Sequence, residues 1–211
     1  MSKATAIMTT HIMVLVIVTM SSAPALAVTS GWIVNGTNLK GTAKVSSTAA
    51  VMKKFVFKFS GITAECTGQN VVHVGGEIES PNKGSASSIE FNGCTTVAGS
   101  KCLLSSTKIS SLPVKAEVTL EGLLAVRATV TPKTGTLFTT LLFTGATCSI
   151  AEEVQSVTGQ MSETEPTGRK EMAKQEVIVK GGGGIEVSGS AATVEGSALV
   201  SLSSGLPWSF L

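Results

Sequence analysis

The chain has 211 residues, a formal net charge of +2 and 43% hydrophobic side chains, enough to bury one ordinary core without metals or a dense disulfide framework. Its only arginines, Arg127 and Arg169, are far apart in sequence, so the clustered cations that grip phosphate backbones are missing and no nucleic-acid partner is expected. There is no Asp and all 14 acids are Glu, which excludes aspartic dyads, Asp-oriented triads, Asp-rich calcium loops and Asp-held magnesium.

Residues 1–27 read as a secretory signal peptide. Lys3 supplies the positive start, Ile12 to Met20 an apolar run, and Ala25-Leu26-Ala27 after Pro24 the small-x-small cleavage pattern. The run is shorter than the roughly 20 residues a bilayer span takes. Cleavage after Ala27 is expected to leave 28–211 as a single secreted or surface-associated β domain, with no membrane span. His73 is then the sole histidine, so a multi-histidine metal site is excluded and no cofactor is expected.

Beyond Val28 the pattern is mostly period two. Asn35-Gly36-Thr37 fits both a tight turn and a glycosylation acceptor, and the turn is the favoured reading. Phe55, Phe57 and Phe59 share one face of a strand. Further strands are expected over 70–79, 87–91, 114–120, 123–131 and 136–143. Turn residues such as Ser80-Pro81-Asn82-Lys83-Gly84 and Pro132-Lys133-Thr134-Gly135 separate them. The segment 162–168 is polar and turn-prone and reads as the longest mobile loop. Residues 169–176 have helical composition but no apolar face, so they read as a solvated loop or one short helix. Glycines 181–184 read as a flexible point, and 177–179, 185–187, 191–194 and 197–202 as short strands. The whole predicts an all-β fold, an antiparallel β-sandwich or barrel with disulfides and little helix.

Four cysteines in an exported chain imply two disulfides. Cys94 and Cys102 flank a short stretch holding Gly99-Ser100, so Cys94 with Cys102 and Cys66 with Cys148 is the preferred pairing of three possible ones. A strand from Val71 to Glu79 would put His73, Glu77 and Glu79 on one face and Val72, Val74 and Ile78 on the other. A histidine with two carboxylates could serve a metal or an acid/base step. A solvated outer face explains the same alternation more simply, and Gly75-Gly76 interrupts it.

Ser105-Ser106-Thr107-Lys108 and Lys133-Thr134-Gly135 match elements of serine β-lactam enzymes. They lie too close together, in a β context, and the Asp-containing third element cannot exist. A hydrolase built on Glu pairs would need exposed aromatic sugar platforms, and only Trp32 and Trp208 are available, with no Tyr. No catalytic residue and no enzymatic activity is expected.

Three features together resemble secreted β-rich proteins of soil actinobacteria. These are Trp32-Ile33-Val34-Asn35-Gly36-Thr37 soon after a signal peptide, the series Cys66, Phe91-Asn92-Gly93-Cys94, Cys102 and Cys148, and the ending Gly205-Leu206-Pro207-Trp208. No activity is established for that group, so the resemblance implies no site residue. The leading expectation is a non-enzymatic exported β-protein acting through its surface on a protein or envelope component. The alternative is a carrier of a small apolar ligand in a barrel interior, lined by Phe55, Phe57 and Phe59 with Leu137, Leu141 and Phe143.

Overall fold

The computed structural model describes residues 30–45, 48–68, 70–180 and 184–211. Residues 1–27, read above as a signal peptide, and glycines 181–183 lie outside the described residues. Among the described residues there are 21 strands and no helix, and every strand ladder is antiparallel.

The first seven are β1 (Trp32–Val34), β2 (Thr37–Asn38), β3 (Thr42–Lys44), β4 (Thr48–Phe59), β5 (Ile62–Cys66), β6 (Asn70–Val74) and β7 (Glu77–Glu79). Next come β8 (Lys83–Ala86), β9 (Ser88–Asn92), β10 (Cys94–Thr96), β11 (Leu103–Leu104), β12 (Lys108–Ser110), β13 (Val114–Glu121) and β14 (Ala125–Pro132). The last are β15 (Leu137–Thr144), β16 (Val154–Gly159), β17 (Met161–Glu165), β18 (Lys174–Val179), β19 (Ile185–Val187), β20 (Ser190–Ser201) and β21 (Trp208–Phe210).

Alternation places the core. In β14, Val126, Ala128 and Val130 are buried while Arg127 between them is exposed. Asn35 and Gly36 both take positive φ, 50° and 76°, and close the hairpin in which Val34 pairs with Thr37, so the tight-turn reading holds.

β4 and β20, 12 residues each, pair antiparallel along most of their length and organise everything else. On one side the strands are hydrogen-bonded in series as β7–β8–β13–β14–β17–β18–β20–β4–β6. The chain itself leads from β6 back to β7 through Gly75-Gly76. Beyond β7 the sheet continues into β3, and past β3 an isolated Val45–Leu202 bridge, with the Ser203 N–H donating to the Lys44 carbonyl, brings it to the end of β20; no closed barrel is detected among the described residues. Toward the β4–β5 hairpin, β5 pairs with β4 and β10 with β5, while β19, β16, β15 and β11 extend the sheet from β20. A small sheet in the order β2–β1–β21 joins the two ends of the described chain. It stacks Trp32 against Trp208 and Phe210, with ring centroids 5.6 and 5.1 Å apart.

The region 162–176 departs from the sequence expectation. Residues 161–165 form β17, a strand paired on both sides, with β14 and with β18. Residues 174–176, expected in a loop or short helix, instead extend the expected strand 177–179 into β18. Gln175 is fully buried there: its Nε2 donates to the carbonyls of Lys170 and Trp208, each at 2.8 Å, and its Oε1 accepts from Thr167. Local polarity is overridden because ladder and side-chain hydrogen bonds satisfy the groups that would otherwise need water. The two short strands expected over 191–202 are one strand, β20, whose register shifts around Gly196.

The disulfides also differ from the preferred pairing. Cys66 is bonded to Cys94, and Cys102 to Cys148. Cys94 sits directly opposite Cys66 in the β5–β10 ladder. Leu103 pairs with Thr144 in the β11–β15 ladder, which brings Cys102 to the segment just beyond β15. The hairpin imagined between Cys94 and Cys102 is absent because β10 and β11 are each committed to another partner. The two bridges fit an oxidising, extracytoplasmic environment. No described helix is long and apolar enough to cross a membrane.

Peptide mapping without reductant is expected to recover the 66–94 and 102–148 links. Replacing both members of one pair by Ala should cost about 3.5–4 kcal/mol, the loop entropy for separations of 28 and 46 residues. A 94–102 link in the map would overturn the strand pairing described.

Candidate functional site

Inside the curled sheet lies a cavity of about 120 Å³. Most of its wall is apolar, with valines and alanines from β13, β14, β18 and β20, Phe55 and Phe91, and Trp32 and Trp208. Four titratable side chains border it: His73 from β6, Glu77 from β7, and Glu163 and Glu165 from β17. Among the described residues no Lys or Arg does so.

The expected polar face of His73, Glu77 and Glu79 is not assembled. His73 lies opposite Ile89 and, like Val71 two residues earlier, turns to the interior, whereas Val74 is exposed. Gly75 then takes a φ of 59°, a conformation side chains resist, and β7 leaves for different partners, β3 and β8. The alternation restarts with Ile78 buried. Glu77 is half-buried and borders the cavity, while Glu79 is exposed and does not. His73 and Glu77 thus meet one internal space, not a solvated outer face, and Glu79 is separate from them. Among the described residues no three His, Cys, Asp or Glu are placed to hold a metal ion.

Glu163 and Glu165 were not legible as site residues. They follow Met161 at period two, and register sets Glu163 opposite Ala128 and Val179, and Glu165 opposite Val126. Their neighbours on both flanks are core positions, so the same alternation carries carboxyls inward. Burial pushes the Glu163 carboxyl up to about 7. It pushes Glu165 up to about 8, with repulsion from Glu163 adding to it. Burial pushes His73 down to about 4.

Among the described residues five buried side-chain polar atoms have no hydrogen-bond partner, and three of them belong to residues that border this cavity: Glu165 Oε2, His73 Nδ1 and Trp208 Nε1. Trp32 differs, because its Nε1 donates to the Lys83 carbonyl at 2.9 Å. Neither tryptophan offers an exposed sugar platform, being 3% and 2% exposed.

The aromatic set proposed for a barrel interior is divided. Phe55 borders the large cavity, whereas Phe57, Phe59 and Leu141 line a second, wholly apolar one of about 30 Å³. A register shift between Leu137 and Thr139 turns Phe138 inward in place of Leu137, and Phe143 packs on Phe59. These rings fill a core. Lys108 is paired with Glu90 at 3.1 Å, and Lys133 and Thr134 are exposed, so the two β-lactamase-like fragments build no site.

Compared with family models, curated proteins and solved structures, the chain matches none of them.

The buried carboxyls set a pH dependence. An acid with a raised pKa holds its proton more firmly in the folded chain, so stability falls as pH rises from 4.5 through about 8 for Glu165. His73 acts in the opposite sense, with stability lost as pH falls through its ordinary value of 6.5, and its slope fades by about pH 7.5. Through most of the range above pH 6.5 the glutamates dominate. The ligand-free protein should lose about 2 kcal/mol between roughly pH 6.5 and 8 through Glu165, and Glu165→Gln should remove that part of the slope. A thermal midpoint that is flat across this range in the unsubstituted protein would contradict a buried Glu165.

Proposed function

We propose that this is an exported, non-catalytic β-protein that holds one small, largely apolar molecule in the cavity of its curled sheet. The carrying observation is that three residues lining a space with otherwise mostly apolar walls, Glu165, His73 and Trp208, each hold an unpartnered buried polar atom. Ligand sites share that composition: an apolar lining with a few fixed polar groups that orient the guest. A cavity of this order accepts a molecule about the size of benzene. Export is supported by the signal-like pattern of 1–27 and by the two disulfides. The resemblance to secreted proteins of soil actinobacteria agrees with it.

The two tryptophans of the chain, Trp32 and Trp208, both border the cavity, so indole fluorescence reports its occupancy directly. Titration with 1-pentanol is expected to give a saturable change in emission. Ala128→Leu, which places extra methyl groups in the cavity, should abolish that change while leaving the fold intact. No saturable response to 1-pentanol or to 1-pentylamine would remove the ligand-binding reading.

A second reading, contact of the surface with an envelope component or another protein, is favoured by the β13–β14 hairpin. Leu123 and Leu124 at its tip are 88% and 60% exposed, with Leu120 beside them at 43%. Cosedimentation with host envelopes that is lost on Leu123→Ser with Leu124→Ser would support it. Equal recovery of both forms in the supernatant would oppose it.

A further inference from the structure

We infer that the cavity takes a small organic monocation: an ammonium head paired with Glu165 beside Glu163, with a short apolar tail against the surrounding valines and indoles. This rests on the ligand-binding reading above and names the chemistry of its guest.

The charge pattern points one way. Glu77, Glu163 and Glu165 border the space, and the strands that complete its wall bring no cation to it. β8 contributes Gly84, Ser85 and Ala86, while β13, β14, β18 and β20 contribute only Val and Ala. An anionic guest would meet carboxyls and no positive partner.

The hydrogen-bonding pattern agrees. Glu165 is 6% exposed and its Oε2 has no partner; His73 Nδ1 is likewise unpartnered. A carboxylate oxygen is an acceptor, and an alkylammonium offers three N–H donors and no acceptor. A bare metal ion suits the site less, since no three of the acidic and histidine groups are placed to coordinate one among the described residues.

Binding then moves a proton. In the empty cavity burial holds Glu165 largely protonated at neutral pH. As the ammonium enters, the Glu165 O–H gives its proton to the solvent, and a carboxylate–ammonium pair remains. The ammonium keeps its own protons, so charge and atoms balance. Affinity should therefore rise with pH between about 6.5 and 8.5, while the guest itself stays protonated.

The test compares two molecules of nearly equal shape, 1-pentylamine and 1-pentanol, by calorimetric titration of the disulfide-intact protein at about pH 7.5. Runs in buffers of different ionisation enthalpy count the protons released. The amine is expected to bind about tenfold or more tightly than the alcohol, with a fraction of a proton released per amine and none per alcohol. Glu165→Gln should erase the preference for the amine and the proton release, yet keep alcohol binding. Glu163→Gln should weaken amine binding less, and it serves as the second variant if the first fails to fold. Equal affinities without proton release would overturn the cation assignment and leave the ligand-binding reading standing. Absence of binding by either molecule, with the cavity holding only water, would overturn both.

Discussion

Everything in this fold hangs from the antiparallel pairing of β4 with β20. Each is 12 residues long, so one ladder runs through both halves of the molecule and every other strand of the large sheet is reached from it. A ladder of that length accumulates twist, and the sheet grown from its edges must curl. The curl is what makes an interior. The series from β7 through β14 and β17 to β20 and β6 wraps the large cavity, and the small sheet of β1, β2 and β21 sets its two tryptophans against it.

That interior is chemically unusual. Curled sheets of this size normally fill their centre with branched aliphatic side chains, as this one does around Val126, Val130 and Val200. Here the same alternation carries two carboxyls and an imidazole inward, and burial moves each toward its uncharged form. Keeping such groups inside costs stability relative to a hydrocarbon replacement. Groups retained at that cost are where a binding function is best sought. The small sheet is fixed independently, because Gln175 holds the Trp208 carbonyl from within the core.

The strand pattern was legible because period-two alternation survives wherever a strand has one dry face. Ser88–Asn92, Val114–Glu121, Ala125–Pro132 and Leu137–Thr144 lie within two residues of the segments read from alternation and turn residues. The site was much less legible. Met161-Ser162-Glu163-Thr164-Glu165 looks polar along its whole length, and nothing local says that β14 and β18 will flank it. His73 was identified as chemically interesting but assigned to the wrong side, because the restart of alternation at Gly75-Gly76 depends on β7 finding new partners.

The amino-acid sequence by itself determined the β class, the principal turns and the even set of cysteines. Those properties are local: side-chain alternation, turn propensity and composition need no distant partner. Tertiary structure alone decided which cysteines meet, which face of β6 is wet and that Glu165 is buried and Glu163 half-buried. Each of these depends on strand register and sheet curl, and register is set by pairing between segments far apart in the chain. A shift of one residue in β17 would turn both carboxyls outward to water and leave the cavity with only His73 and Glu77.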